Sequence, residues 1–151
     1  SLVYCSDCHG SDSAGPPGGG LAGSSARGIH GSNLQYLLRA RYDTEDYTSE
    51  SASAYALCYA CHDRANILDD QSFKGHKRHI VEERTPCSAC HDAHGIASGQ
   101  GTVTNNSHLI NFATEIVQPN SQGRLEYRDL GRFSGECFLS CHGKNHSPEK
   151  Y

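Results

Sequence analysis

The sequence predicts one mostly irregular domain over residues 1–151, with short α-helices and at most a small β-hairpin. Hydrophobic residues make up 36% of the chain, Trp and Met are absent, and Gly occupies 16 of the 151 positions. This composition offers little material for a core built only from side chains. Eight Cys and ten His indicate that something other than aliphatic packing holds the chain together.

Every Cys belongs to a pair, and a His directly follows the second Cys of each pair. The motifs are CSDCH, CYACH and CSACH, followed by CFLSCH, which has one more residue between its thiols. Eight Cys allow three explanations, namely a disulfide framework, structural zinc in CxxC half-sites, or covalent haem. The adjacent imidazoles favour haem, because C-x-x-C-H is its attachment signature and neither zinc nor disulfides need that His. The predicted cofactor is four covalently bound haem c groups, each with its iron.

In this hypothesis the two thiols of a motif bond to one porphyrin, and the following imidazole binds its iron. The predicted attachment residues are Cys5, Cys8, Cys58, Cys61, Cys87, Cys90, Cys137 and Cys141. The predicted proximal ligands are His9, His62, His91 and His142. The longer fourth motif keeps Cys and His contiguous, so an extra residue that loops out would leave the imidazole correctly placed. A disulfide between its two thiols, or two free thiols, is the alternative.

Each iron needs a second axial ligand or keeps an open position. Met cannot supply this ligand because the chain has none, and Lys and Tyr are possible but uncommon ligands, which leaves six further His. We expect them to serve as distal ligands in the order His30, His79, His94, His108, His76 and His146. His94 and His146 follow proximal His by three and four positions, so each shares a helix face with that His and should reach a neighbouring iron. The surplus His would contact haem propionates or a haem of another subunit.

Local patterns predict the individual elements. The Gly- and Pro-rich residues 10–31 favour a loop, and NLQYLLRARY, from Asn33, favours a helix. SESASAYALCYACH predicts a helix that continues into motif two, and SFKGHKRHIVEERTPC predicts another, capped by Ser72. Alternation between Leu109 and Leu130 favours the hairpin. The first Cys of successive motifs are 53, 29 and 50 residues apart, which predicts that the middle two haems form a close pair.

The net charge and the hydropathy of the chain argue against two kinds of partner, nucleic acid and the membrane interior. The formal net charge is −4, from 13 basic and 17 acidic residues, which argues against nucleic acid. No apolar run reaches the roughly 20 residues of a transmembrane helix, so no membrane span is expected. The large apolar faces of porphyrins would form the core that side chains do not supply, and we expect folding and haem attachment to be coupled.

Six segments resemble multihaem c-type cytochromes with doubled CxxCH motifs: CSDCHGSD, GIHGS, LCYACHDR, SFKGHKRHIVEERTPCSACHDAHG, HLINF and CFLSCHGKNHSP. The resemblance covers nearly the whole chain, and the central segment is its most specific part. It implies a single haem-cored tetrahaem domain with bis-His ligation, closely spaced haems and electron transfer outside the cytoplasm. Some members of this group polymerise into extracellular filaments, in which a His of one subunit completes a haem of the next.

The predicted function is electron transfer through four bis-His haems, with no enzyme activity. The expected location is the cell surface or the extracellular space, and the expected assembly is a homo-oligomeric filament. Other redox proteins or extracellular acceptors would be the partners. A soluble periplasmic shuttle is the first alternative. A haem reductase with one open iron is the second, and it is disfavoured because the spare His outnumber the irons.

Overall fold

The computed structural model describes residues 3–12, 31–96 and 107–151, and regular structure among them is scarce. The α-helices are α1 (Cys5–Cys8), α2 (Ala56–Tyr59) and α3 (Arg64–Leu68). Further short helical elements are two 3-10 turns, at Gln35–Leu37 and Cys87–Ala89, and a π-helical turn at Arg78–Glu82. The prediction of a mostly irregular fold with short helices is confirmed. None of the described helices has the length and apolar character needed to cross a membrane.

An antiparallel sheet occupies the C-terminal part of the chain, with the strand order β1 (Glu126–Asp129), β2 (Gly135–Cys141), β3 (Lys144–Lys150). A two-residue turn formed by His142 and Gly143 joins β2 to β3. Both turn residues have positive φ, 48° and 76°, which matches the backbone of a tight hairpin. The fourth motif therefore ends β2 and begins this turn.

The sheet differs from the predicted hairpin in size and position. In the segment between Leu109 and Leu130 only β1 is a strand, while HLINFATEIVQP forms turns and isolated bridges. Strand character appears instead in CFLSCH, where a widened turn was expected. Pairing with β1 and β3 on either side decides this conformation, and such tertiary context commonly overrides local preference. The predicted helix from Asn33 is also wrong, because Tyr36 has φ 58° and only a single 3-10 turn forms.

Contacts divide the chain into two compact units. Unit 1 comprises residues 1–43 and 49–65, and unit 2 comprises residues 44–48 and 66–151. Motifs one and two lie in unit 1, and motifs three and four lie in unit 2. The predicted close pair of middle haems joins motifs of different units and stays a prediction, as does the single domain.

A small apolar cluster forms the core of unit 2. Its buried members are Ala89, Val117 and Leu139, and the half-buried residues packed against them are Cys90, Phe112, Ile116, Leu125, Cys137 and Cys141. Three cysteines of motifs three and four thus share one core. In unit 1, Ala54 and Tyr55 are buried immediately before α2, which leads into motif two.

Candidate cofactor-attachment sites

The first three motifs adopt the same helical turn. In each, the backbone N–H of the motif His donates to the carbonyl of the first Cys: His9 to Cys5 at 2.8 Å, His62 to Cys58 at 3.0 Å, and His91 to Cys87 at 2.9 Å. This bond closes one turn, and positions i, i+3 and i+4 share a face of a helical turn. Each motif therefore presents two thiols and an imidazole on one side.

The fourth motif has an extended backbone instead. Cys137 and Cys141 both lie in β2, four positions apart. Residues i and i+4 share a face of a strand, but a rise of about 3.3 Å per residue separates their α-carbons by roughly 13 Å. On a helical turn the β-carbons of i and i+3 are only about 5–6 Å apart. The extra residue thus suits the two-residue period of a strand, yet it leaves the two sulfurs far apart.

Burial keeps several motif thiols protonated. It raises the pKa of Cys90 to about 12, with added contributions from the thiols of Cys137 and Cys141, and it raises the pKa of Cys137 to about 11. In unit 1, burial and then the nearby thiol of Cys61 raise the pKa of Cys8. A thioether is uncharged like a protonated thiol, whereas zinc ligation requires a thiolate. Burial therefore favours the uncharged thiol at these three residues, and all eight cysteines are free of disulfides.

The pKa shifts of Cys8 and Cys90 indicate which motif thiols lie near one another, because each shift includes a contribution from the thiols of a second motif. Cys8 of motif one is coupled to Cys61 of motif two within unit 1. Cys90 of motif three is coupled to the thiols of motif four within unit 2. Each unit therefore brings the thiols of two motifs together.

Backbone carbonyls orient two of the motif histidines. His9 Nδ1 lies 2.7 Å from the carbonyl oxygen of Tyr36, and His91 Nδ1 lies 2.9 Å from that of His108. A carbonyl oxygen only accepts, so Nδ1 carries the proton in both imidazoles. Nε2 is then the nitrogen with the lone pair, which is the state that a metal ligand requires.

Among the described residues of unit 2, two pairs of imidazoles lie close together with their rings tilted by 44° and 38°. The ring centroids of His76 and His91 are 6.4 Å apart, and those of His79 and His146 are 6.5 Å apart. Two imidazoles that bind one metal from opposite sides have centroids about 6.3 Å apart, given metal–nitrogen bonds of about 2 Å. The two pairs therefore have the separation of axial ligands, and one of them includes the His of motif three.

The second pair also has the protonation that ligands need. His79 Nδ1 donates to the carbonyl of Gly75 at 2.6 Å, so its Nε2 bears the lone pair. His146 is buried, and its Nδ1 has no hydrogen-bond partner among the described residues. Burial lowers the pKa of His146, which favours the neutral ring that binds metals. The lone pair on Nε2 of His79 and the neutral ring of His146 are compatible with metal ligation, although neither His follows a Cys.

His142 differs from the other motif histidines. Its Nε2 lies 3.0 Å from both carboxylate oxygens of Asp46, and its ring stacks on Tyr47 with centroids 4.8 Å apart. Because a carboxylate accepts, Nε2 carries the proton here, the reverse of the state in His9 and His91. With its separated sulfurs, motif four does not fit covalent haem in this conformation, whereas the turns of motifs one to three do.

The remaining distal predictions have other surroundings. His94 is exposed in the turn after motif three, with Nδ1 3.5 Å from Asp92 Oδ1. His108 is also exposed, with Nε2 3.2 Å from Asp129 Oδ2, and its carbonyl rather than its ring contacts motif three. His30 lies outside the described residues. The predicted order of distal ligands stays a prediction.

Sequence reasoning missed the groups that orient the imidazoles. Tyr36 and Gly75 act through backbone carbonyls, which no side-chain motif reveals. The four-residue spacing from Gly75 to His79 could have indicated a turn that carries this bond. Asp46 meets His142 across 96 residues, and no local signal connects them.

Hydrogen bonds to the Glu50 carboxylate connect motif two and the residues after it to a loop of unit 1. Its carboxylate accepts hydrogen bonds from Arg64 Nε at 2.8 Å, from Arg64 Nη2 at 2.6 Å and from the Tyr59 hydroxyl at 3.1 Å. Tyr59 lies between the two thiols of the motif. The bond from Arg64 is the main cause that lowers the pKa of Glu50, and burial opposes it.

Replacing Glu50→Gln should make stability less dependent on acid pH. A carboxylate with a depressed folded pKa stabilises the fold above its unfolded pKa of about 4.3, and this contribution is lost as pH falls through the folded pKa. Chemical denaturation between about pH 3 and about pH 7 measures the effect. The variant should be less stable than wild type at the upper end and similar at the lower end. The exposed carboxylate Glu45→Gln is the control, and equal pH profiles for Glu50→Gln and wild type would contradict the prediction.

Among the residues that the structure describes, no three or more His, Cys, Asp or Glu side chains form a group that could hold a metal. This finding does not bear on a porphyrin iron, because the porphyrin supplies four of its ligands and the protein only two.

Comparison of the sequence with protein-family models and with curated proteins found no match, and comparison with solved structures found none. The function of this chain is therefore inferred from its own motifs and geometry.

Proposed function

We propose that this protein transfers electrons through haem c groups attached to its Cys–His motifs, with each iron held between two His. The pairing of His91 with His76 at a centroid separation of 6.4 Å carries the proposal. His91 belongs to a CxxCH motif, and its Nδ1 donates to a carbonyl, so its Nε2 is in the ligand state. A disulfide framework or a zinc ribbon gives no reason for a second imidazole at this distance.

The local conformation of three motifs supports covalent attachment. Each turn places two thiols and the following imidazole on one side, as a single porphyrin requires. In unit 2 the sulfur of Cys90 lies in an apolar cluster with Val117 and Leu139, which suits a neighbouring group with large apolar faces. When bound, haem supplies a one-electron iron couple, and the protein supplies position, ligands and dielectric.

Ligation by two His favours electron transfer over substrate reduction, because a six-coordinate iron has no position for a substrate. The second close pair of imidazoles, His79 with His146, contains no motif His, so it is not counted among the attached haems of this proposal. Ligation without Met favours low reduction potentials. Hydrogen bonds from Nδ1 to carbonyls make the imidazoles stronger electron donors, which also favours low reduction potentials.

With motif four released from its strand conformation, the proposal extends to four haems that are closely spaced within each unit, outside the cytoplasm, in a filament of identical subunits. The coupled thiols within each unit support close spacing of motif pairs. The exposed rings of His94 and His108, with 82% and 67% of their side chains accessible, support ligation of a haem in a neighbouring subunit. Contacts between unlike surfaces of identical subunits generate filaments when the rotation does not close.

The test is expression with a cytochrome c maturation system, followed by mass spectrometry and absorption spectroscopy. We expect three or four covalently bound haems per chain and a low-spin spectrum that cyanide, carbon monoxide and nitrite leave unchanged. Four haems would require motif four to leave its strand conformation. A protein without covalent haem would contradict the proposal, and a high-spin spectrum that responds to nitrite would favour a reductase. Electron microscopy and light scattering test the filament, which a purely monomeric protein would contradict.

A further inference from the structure

We propose that two equivalent backbone segments position the proximal imidazoles of motifs one and three. They are strap one, residues 36–39 in unit 1, and strap two, residues 108–111 in unit 2. This inference rests on the proposed haem function and identifies what orients the iron ligands in each unit. The positioning depends on a left-handed backbone at the start of each strap rather than on the side chains there.

Strap one runs antiparallel to the end of motif one. Arg39 N–H donates to the carbonyl of Cys8 at 2.9 Å, and Gly10 N–H donates to the carbonyl of Leu37 at 2.7 Å. Between these two bonds, His9 Nδ1 donates to the first carbonyl of the strap at 2.7 Å. Three hydrogen bonds thus hold the imidazole and both of its chain neighbours against the strap.

Strap two repeats this arrangement at motif three. Asn111 N–H donates to the carbonyl of Cys90 at 2.9 Å, and Asp92 N–H donates to the carbonyl of Leu109 at 2.9 Å. His91 Nδ1 again donates to the first carbonyl of the strap, at 2.9 Å. Each of the three bonds has its counterpart in unit 1.

The repeat lies in the backbone and is nearly absent from the side chains. The straps read YLLR and HLIN and share only the Leu at their second position. The motif histidines are bridged to the third strap residue in both cases, His9 to Leu38 and His91 to Ile110. A common hydrogen-bond pattern with different side chains indicates that main-chain geometry is what the two sites have in common.

Both straps begin with two residues in the left-handed region. Their φ values are 58° at Tyr36, 55° at Leu37, 59° at His108 and 59° at Leu109. Positive φ is uncommon outside Gly and costs free energy, so surrounding contacts must maintain it. Tyr36 is 80% exposed and Leu109 is 49% exposed, so burial of these side chains does not explain the conformation. The conformation delivers the first carbonyl to the imidazole.

A carbonyl that accepts from Nδ1 fixes both the tautomer and the plane of the ring. It keeps the lone pair on Nε2 and strengthens the electron donation of the imidazole, which would lower the reduction potential of a haem iron held there. The straps are therefore positioning elements that act through His9 and His91.

The test compares the haem potentials and electron paramagnetic resonance spectra of two variants of the holoprotein, Tyr36→Ile and Tyr36→Gly. A β-branched residue disfavours positive φ, whereas Gly adopts it readily. We expect Tyr36→Ile to shift the potential of one haem upward and to change its electron paramagnetic resonance signal. Tyr36→Gly should keep the wild-type values. Leu109→Ile and Leu109→Gly should give the same contrast for a haem in unit 2, and Leu34→Ile, at an extended residue with φ −97°, is the control.

The comparison is made between variants that keep the wild-type haem count. Equal effects of the Ile and Gly variants, or no effect of either, would overturn the positioning role. Absence of covalent haem in the wild-type protein would instead contradict the proposed function, so the two failures are distinguishable. Where an Ile variant does not fold, nitrogen-edited NMR of the reduced wild-type protein decides. The Nδ1 protons of His9 and His91 should be protected from exchange with solvent, and rapid exchange of both would overturn the inference.

Discussion

The double replacement Cys87→Ser and Cys90→Ser should remove one covalently bound haem and strongly destabilise unit 2. Both effects share a cause, because Cys90 is a haem attachment residue in our proposal and also packs against Ala89, Val117 and Leu139. A Ser hydroxyl left without a partner in this cluster costs about 1–3 kcal/mol beyond the loss of the haem. Mass spectrometry measures the haem count, and chemical denaturation measures stability.

The matched control is Cys5→Ser with Cys8→Ser in motif one. It should also remove one haem, but with a smaller direct loss from packing, because Cys5 is exposed whereas Cys87 is half-buried. Ser88→Ala, between the two thiols of motif three, should keep every haem. An unchanged haem count in the variant of motif three would contradict attachment there.

His76→Ala should convert one low-spin haem into a high-spin haem that binds carbon monoxide. In our proposal His76 and His91 bind the same iron, so removal of His76 should open one of its two axial positions. Absorption and electron paramagnetic resonance spectra measure the spin state, and addition of carbon monoxide measures the open position. This change of coordination should also move the potential of that haem, within the range of about 0.8 V over which axial ligands act.

His94→Ala is the decisive control for that variant. His94 lies three residues after His91, and the sequence ranked it above His76 as a distal ligand, but its ring is exposed beside Asp92. We expect a low-spin spectrum from His94→Ala in the monomer. A high-spin haem from this variant with none from His76→Ala would support the sequence ranking and contradict the pairing of His76 with His91.

Close spacing within the motifs made part of the site predictable. Positions i, i+3 and i+4 meet on one helical turn wherever such a turn forms, so CxxCH by itself places two thiols beside an imidazole. The turns of Cys5, Cys58 and Cys87 follow this expectation, with the same bond from His to the first Cys. The poor apolar composition likewise predicted the small share of regular structure.

Prediction failed where distant segments determine the backbone. The helix expected from Asn33 is absent because Tyr36 has a left-handed backbone, and its carbonyl accepts from an imidazole 27 residues away. The turn expected at Cys137 is a strand because it pairs with segments on both sides. Neither outcome has a signal in the local pattern of hydrophobic and polar residues.

The sequence by itself determined the number of motifs, the residue types that can attach and bind haem, and the exclusion of Met as a ligand. Folding decides which imidazoles lie close together and that motif four is extended. It also decides which nitrogen bears the proton in the rings that contact a carbonyl or a carboxylate. The physical reason is the separation along the chain between the residues that come into contact. A helical turn joins residues three or four positions apart, whereas the close pairs join His76 to His91 and His79 to His146 across intervening chain that only folding brings together.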